Sequence, residues 1–512
     1  MFSTLDLKQI QQHGTPQEAA MRQQNIVNQN KINVNIVRPA MPADGVFVFN
    51  KEIIDAMLSN YSERIADKKI VKFVPASGAA TRMFKELFSA MEELSNDKNF
   101  TNFEDSVSTF FENLSKFAFY KPLADSLKKD DLDIEKLLSE KNYLPILQHL
   151  LTEKGLNYGK YPKGLLPFHC YGEASRTALE EHLVEAAYYA SENDDIARLH
   201  FTVSAEHLEA FKNHCQQVVP AYEKQFEVKY EIGFSTQNPS TDTLAFTANN
   251  KPFRGKDKKL VFRPGGHGSL IENLNNIDAD IVVIKNIDNV MLDRYKRDTT
   301  VFKKLLICFL RCLEKRVFEY LEMFDAGACS QEDITKVEVF FQKILFINLD
   351  KAYQRKSLSA KQKYLYRFLN RPMRVCGMVY REDEPGGGPF WVRNSKGEVS
   401  LQIVETSEIN LADPKQERHL KRSFFFNPVD AACFIKNHRG EAFHLPDYVD
   451  HSRYFVSEKS HEGKVLKAIE NPGLWNGGMS DWITVFIAVP TSTFTPVKAV
   501  NDLLRGEHVW EK

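Results

Sequence analysis

The sequence lacks a charge excess, a long apolar run and paired cysteines, and each absence excludes a class of protein. Its 512 residues carry 67 Lys and Arg against 68 Asp and Glu, a net charge of -1. No global basic field therefore marks the chain for nucleic acid or an anionic membrane, and any anion site must be local. No stretch reaches the ~20 apolar residues of a membrane span. The start, MFSTLDLKQIQQHG, has no basic region followed by an apolar one, so cytoplasm is the expected location. The 7 cysteines are scattered. The closest pair, Cys308 and Cys312, falls inside an apolar helical pattern rather than a CxxC, so reduced core thiols are expected. No internal repeat is visible.

What remains is an ordinary soluble globular composition, 43% hydrophobic and 26% charged. The length suffices for a large core with one or two appended domains, because single cores stop growing near ~250 to 300 residues. Residues 1–45 are rich in Gln and Asn and read as a surface extension with a helix or two; short prion-like disorder is the competing reading. Residues 46–67 read as amphipathic helix. From Ile70, short apolar runs (IVKFVPA, RLHFTVS, EVKYEIGFS, DTLAFTA, KLVFRP, DIVVIKN) alternate with helical stretches, which argues for a mainly parallel α/β sheet. Residues 84–158 are helical in pattern and read as an insertion after the first strand, and 291–369 are helical again. Strands return in PMRVCGMVY, PFWVRNSKGEVSLQIVE, RSFFFN and WITVFIAVP, with NSKGE as a hairpin turn. The expected organisation is an extension at 1–68, a core at 69–425 and a carboxyl-terminal region at 426–512.

Four short stretches carry chemistry. In Ala76-Ser77-Gly78-Ala79-Ala80-Thr81-Arg82, a strand ends in residues that barely project, and Arg82 opens a helix. Small residues let backbone N–H groups close on a polyphosphate, and Arg82 offers a fork to phosphate oxygens. A tight strand-to-helix turn with a solvated Arg82 fits the same residues. In Tyr161-Pro162-Lys163-Gly164-Leu165-Leu166-Pro167, the prolines fix an extended segment, so Lys163 would be held in place; a surface lysine is the plainer reading. In FSTQNPSTDTLAF and PGGHG, Gly265, Gly266 and Gly268 admit a flat ring, His267 offers a hydrogen bond to ribose or phosphate, and Gln237 has an amide suited to a base edge. Pro-Gly-Gly is also a common turn. In DIVVIKNIDN, Asp288 follows a strand at the carboxyl edge of a sheet, where a carboxylate is well placed to hold Mg²⁺ against a triphosphate or to cap the next helix. Asp278 and Asp280 precede that strand and are assigned no metal.

In this order the elements resemble the nucleotide-sugar pyrophosphorylases, above all those making UDP-glucose and UDP-N-acetylglucosamine, and most closely a bacterial group, domain-of-unknown-function family 4301. That superfamily's Gly-Gly-x-Gly-Thr-Arg loop is matched by Ser77, Gly78, Ala80, Thr81 and Arg82, with Ser77 and Ala80 in place of glycines. Its Pro-Lys resembles Pro162-Lys163, its PGGHG stands intact at Pro264–Gly268, and its strand-end aspartate is similar in setting to Asp288. VSLQIVETSEI resembles the sugar-binding strand, giving Glu405 to sugar hydroxyls, with Thr406 where the family has Tyr. FFFNP gives Asn427 a similar role, and TFTPVKAVNDLL gives Lys498 a phosphate. The likeness runs over roughly residues 70–505, without a counterpart for 84–158.

The resemblance implies a Rossmann-like nucleotidyltransferase core of glycosyltransferase-A type, with a mixed central sheet and a carboxyl-terminal α+β region. It implies that NTP and a sugar 1-phosphate, UDP-sugar chemistry favoured, give NDP-sugar and pyrophosphate with Mg²⁺. No nucleic acid or membrane partner is expected. Two other readings stand beside it: a nucleotide-sugar binding protein without turnover, and a glycosyltransferase, which would want an Asp-x-Asp where this chain has Asn-Ile-Asp-Asn. Two further glycine-rich stretches, around Trp391 and Trp475, are expected to close over a sugar, the EDEPGGGPFWV stretch in particular, or else to be a hairpin loop and a packed surface loop.

Overall fold

A computed structural model describes residues 2–29, 34–97, 100, 102–191, 194–381, 387–394, 397–461 and 464–510. The chain forms two compact units, one of residues 1–70, 237–284 and 304–489, the other of residues 71–236, 285–303 and 490–512. The expected segments 1–68, 69–425 and 426–512 are not these units. Both units are assembled from pieces far apart in sequence: Val46 pairs with Phe486 in the first and Lys72 with Leu199 in the second.

The second unit is built on three parallel strands, Ile70–Pro75, Ile196–Val203 and Lys229–Thr236, with Lys72 opposite Leu199 and Arg198 opposite Glu231. The segment after Ile284 continues beside the first of them, with Lys285 N donating to Phe73 O and Ile287 N to Pro75 O. The 84–158 stretch is helical as expected, with helices at Lys85–Asn96, Asp105–Glu112, Tyr120–Lys128, Ile134–Ser139 and Tyr143–Leu151. It is no loose appendage. Its Phe84, Leu87, Phe110, Leu123 and Leu147 share one core with Phe168, Leu183, Phe201 and Phe211. Burial on this scale stabilises by about 1.5 to 3 kcal/mol per large side chain.

The first unit holds a mixed run of strands. Met41–Pro42, Gly45–Phe47, Ile483–Ala488 and Met373–Tyr380 pair in parallel, then Ala431–Phe434 runs antiparallel to both Met373–Tyr380 and Ile281–Ile284. The fold is therefore mixed α/β, and the sheet is less parallel than the apolar runs alone suggest. Two of the expected runs lie elsewhere: Thr243–Phe246 and Phe262–Arg263 form a four-stranded antiparallel sheet with Lys464–Glu470 and Phe455–His461. A third sheet pairs Asn35–Pro39 with Gly388–Arg393 and Val399–Val404; in the NSKGE stretch between the last two, Asn394 N donates to Glu398 O, and residues 395 and 396 lie outside the described residues.

The amino-terminal extension follows from its amphipathicity. Helices Thr4–Gln12 and Gln17–Gln29 bury Ile10, Ala20, Ile26 and Val27 against Leu244, Phe246 and Ile469. Ser3 and Asp6 form a capping box on the first helix, a device that contributes about 1 kcal/mol. Residues 46–67 are not one helix. Gly45–Phe47 is a strand, because Val46 pairs with Phe486, and Asn50 then caps Lys51–Leu58 before a second helix at Tyr61–Ile65. None of the seven cysteines is in a disulfide. Among the described residues, no helix is long and apolar enough to cross a membrane.

Candidate functional site

In the second unit, the small-residue loop and the Pro-Lys segment are neighbours. Ala80 N donates to Tyr161 O at 3.0 Å, Lys163 N to Gly78 O at 3.3 Å, and Thr81 Oγ1 to Gly159 O at 3.2 Å. Ala79 and Pro162 form an antiparallel bridge. The loop does not open directly into a helix as expected. Ala80–Arg82 is a 3₁₀ turn, and the α-helix starts only at Lys85, without a side-chain cap. The loop therefore presents its own backbone and the exposed Arg82 rather than a helix N-terminus. Gly78 has a negative φ, and a Cβ there would meet nothing within 4 Å, so local packing does not require the glycine.

Asp288 sits beyond the strand end and is 7% exposed. Its Oδ2 accepts from Lys163 Nζ and from Lys498 Nζ, each at 3.0 Å. Lys163 also donates to Val497 O at 2.8 Å, which holds its ammonium in place. Lys498 arrives because its segment runs along the Asp288 backbone: Val497 N donates to Asp288 O at 3.0 Å, and Thr495 N to Asn289 Oδ1 at 3.0 Å. Burial pushes the Asp288 carboxyl up, but the two lysines outweigh it and hold the carboxyl below its usual value. Asp288 Oδ1 is buried without a hydrogen-bond partner. Among the described residues, no three His, Cys, Asp or Glu side chains converge to hold a metal. A Mg²⁺ at the free oxygen would take the rest of its shell from phosphate oxygens and water, which is how that ion is commonly held, so the donor present fits one. Asp278 and Asp280 are occupied elsewhere, by Lys69 and Lys436 respectively.

The first unit gathers most of the other candidates. Gln237 Nε2 donates to Gly266 O at 3.3 Å, so its amide braces the glycine turn. Gly266 has φ +56° and open space where a Cβ would be. Gly265 and Gly268 are glycines for packing, since a Cβ would come within 2.6 Å of Thr241 O and 2.5 Å of Asn471 Cβ. His267 is exposed and lies 4.3 Å, ring to ring, from Trp475. One residue on, Asn476 Nδ2 donates to Glu405 Oε1 at 3.0 Å. Burial and the nearby Glu408 carboxylate push the Glu405 carboxyl up to about 7. Asn427 is linked to this group through Gly387, to whose carbonyl its N donates at 2.8 Å and where a Cβ would lie 3.6 Å from Glu405 Cγ, but its side chain is engaged: its Nδ2 donates to Gly377 O at 2.8 Å and its Oδ1 accepts from Val429 N at 3.0 Å.

The expectation that two glycine-rich loops lay an indole against a sugar is not met. Trp391 is 2% exposed and donates to Asp44 O, while Trp475 is 8% exposed. Gly477 and Gly478 are glycines because Pro472, Arg453 and the Gly473 backbone press on them. Glu382–Gly386 lie outside the described residues. Sequence reasoning missed Asn476, the buried Arg453–Glu408 pair beside it, and the charged helix Ala178–Tyr189. The one available cue was EEHLVE, a run too charged for the apolar stretches that flank it.

A family model described as Domain of unknown function (DUF4301) matches residues 3–509. The chain belongs to that family. No curated protein matches it in sequence. Solved structures similar to this DUF4301 chain include UDP-glucose pyrophosphorylase from Leishmania major in complex with UDP-glucose, at 13% identity and TM-score 0.46 over 98% of this chain and 79% of that one. Another is uridine diphosphate N-acetylglucosamine pyrophosphorylase from Trypanosoma brucei in complex with an inhibitor, at 12% identity and TM-score 0.45 over 94% of this chain and 72% of that one.

Proposed function

We propose that the protein is a nucleotidyltransferase that forms an NDP-sugar and pyrophosphate from a nucleoside triphosphate and a sugar 1-phosphate, with a uridine nucleotide favoured. The observation that carries the reading is the grouping in the second unit. The loop Ala76–Arg82 is tied to Pro162-Lys163, and Lys163 and Lys498 converge on Asp288. A structural role alone has little use for two ammonium groups on one buried carboxylate beside a stretch of small-residue backbone.

In this scheme a sugar phosphate oxygen attacks the α-phosphorus in line. The new P–O bond forms as the bond to the β-phosphate bridge breaks, and pyrophosphate leaves with the electron pair. No protein nucleophile is needed, and catalysis is positioning and charge neutralisation. Arg82 stabilises the leaving pyrophosphate, while Lys163 and Lys498 hold the α-phosphate and the sugar phosphate. The backbone of Ser77, Gly78, Ala79 and Thr81 lines the phosphates, while the N–H groups of Ala76 and Ala80, spent on Thr202 O and Tyr161 O, shape the loop rather than bind. Asp288 would anchor Mg²⁺, which when bound neutralises phosphate charge. Gln237, Gly265, Gly266 and His267 hold base and ribose, and Glu405 and Asn427 the sugar, Asn427 by its remaining amide hydrogen.

The test is pyrophosphate release by the purified protein with Mg²⁺ over a panel of nucleoside triphosphates and sugar 1-phosphates. Release that needs both substrates and is lost in Asp288→Asn supports the reading and names the substrates. If nothing turns over while an NDP-sugar still raises the melting temperature, the protein is a binder, and Ser77 and Ala80 are the positions to restore to glycine.

A further inference from the structure

Helix Ala178–Tyr189 carries Glu181, His182 and Glu185, and all three are fully buried. Burial holds the His182 ring neutral, whereas an ionised carboxylate costs several kcal/mol to bury unless it is paired, so Glu181 and Glu185 should each have partners. Glu185 accepts from Lys72 at 2.9 Å on one oxygen and from Lys285 at 2.7 Å on the other. Glu181 accepts from Lys296 on Oε2 and from the Tyr171 hydroxyl on Oε1 at 2.9 Å, with Arg176 3.6 Å away.

These groups do not touch Asp288, Lys163 or Lys498. They hold the two chain segments that deliver Asp288 and Lys498. On the first segment, Glu185 fixes Lys285, and His182 Nε2 donates to the carbonyl of Ile287, one residue before Asp288, at 3.2 Å. On the second, a relay runs from the same helix. Glu181 Oε1 accepts from His169 Nδ1 at 2.8 Å and Thr495 O accepts from His508 Nε2 at 3.1 Å, so the 2.8 Å link between His169 Nε2 and His508 Nδ1 is a hydrogen bond only when one of the two rings carries a second proton, and otherwise a packed contact. Thr495 is bonded in turn to Asn289, and Lys498 is three residues further on.

We propose that Glu181, His169 and His508 are positioning residues for Lys498, and His182 and Glu185 for Asp288, with helix Ala178–Tyr189 as their common base. The proposal rests on the reading that Lys498 and Asp288 handle phosphates. Buried polar networks that are largely satisfied rigidify the segments they tie together, and in this one His182 Nδ1 is left buried without a partner. A displacement of about 1 Å at a reacting centre costs on the order of 10²-fold in rate, which is why a side chain that touches no substrate can matter.

The experiment uses the full chain with His508→Phe, which removes both ring nitrogens, and His508→Gln, which keeps one donor for Thr495. His508→Phe is expected to lower kcat roughly 10- to 100-fold while KM moves by less than about threefold. His508→Gln should recover most of the loss; a role in folding alone gives no such split or rescue. Wild-type kcat in His508→Phe would overturn the proposal and leave the proposed function standing. If the unaltered protein turns over no substrate, the functional reading fails, and the relay is judged by melting temperature instead. The losses in His508→Phe and Lys498→Met are then expected to combine to less than their sum in the double variant, because both act on one segment. Additive losses would overturn the relay.

Discussion

Lys163 Nζ donates to Asp288 Oδ2 at 3.0 Å, although 125 positions separate the two residues, and the same oxygen accepts from Lys498. Asp288→Asn keeps the shape and removes the charge that two ammonium groups share. Turnover should fall by at least about 10²-fold, as for other losses of preorganised charge. Thermal unfolding with inorganic pyrophosphate gives a check that needs no turnover. Mg²⁺ is expected to enlarge the pyrophosphate-induced rise in Tm of the unaltered protein and to have no such effect in Asp288→Asn. An equal Mg²⁺ effect in both would remove the metal from Asp288.

Arg453 is buried with its guanidinium on Glu408, Nη2 lying 2.7 Å from Oε1 and 2.9 Å from Oε2, and with Nη1 3.1 Å from the Gln402 amide oxygen. Removing one partner of such a pair strands the other charge, at a cost of about 3 to 5 kcal/mol. Arg453→Ala should therefore shift the urea transition of the first unit to lower concentration. Arg453→Lys should recover only part of the loss, because an ammonium cannot reproduce the fork. Equal midpoints for Arg453→Ala and the unaltered protein would contradict the account of Glu408 as a buried carboxylate held by Arg453.

Glu405 titrates in an unusual window. Burial and Glu408 raise its carboxyl from about 4.5 to about 7, so the folded state favours the protonated form. The sign follows from linkage: the contribution to stability is full below the unfolded value and is lost as the pH rises through the folded one. Glu405→Gln stays neutral throughout. The Tm of the variant should match that of the unaltered protein below about pH 4.5, exceed it increasingly towards pH 7, and keep a constant lead above that. Parallel Tm curves across that range would show that Glu405 is not strained as an anion.

Much of this was legible in the sequence, and the reasons are physical. Runs such as IVKFVPA and DIVVIKN are apolar without alternation because both faces are covered, and they appear as strands at Ile70–Pro75 and Ile281–Ile284. Lys163 was readable because prolines on both sides restrict its backbone, and it is held as that restriction implies. What stayed hidden depends on long-range pairing. Gly45–Phe47 looks helical in isolation and becomes a strand because Ile483–Ala488 lies beside it. The tryptophans at 391 and 475 looked like sugar platforms because glycines flank them, whereas the described ones, Gly387, Gly388, Gly473, Gly477 and Gly478, are hemmed in by neighbouring chain. EEHLVE stands out only as a run more charged than its apolar flanks. Its burial becomes visible only once Lys72, Lys285 and Lys296 are seen to converge on it.

The loop at Gly78 and Arg82 separates activity from stability more cleanly than any other position. Arg82 is exposed on its 3₁₀ turn, and a Cβ at Gly78 would meet nothing within 4 Å at a φ that any residue adopts. Arg82→Ala and Gly78→Ala should both leave Tm within about a degree, as surface changes away from caps and cores usually do. If the backbone there closes on phosphates and Arg82 takes the leaving pyrophosphate, each variant should still lose rate. Arg82→Ala should lose on the order of 10²- to 10³-fold. Gly78→Ala should lose less, chiefly through a higher KM for the nucleotide, because a methyl group holds the phosphates off the N–H groups without removing charge. Gly268→Ala is the contrasting control: its Cβ would lie 2.5 Å from Asn471 Cβ, so it should lower Tm outright. Unchanged kinetics in Arg82→Ala would show that this loop does not handle the phosphates, and the proposed chemistry would then have to be sought away from it.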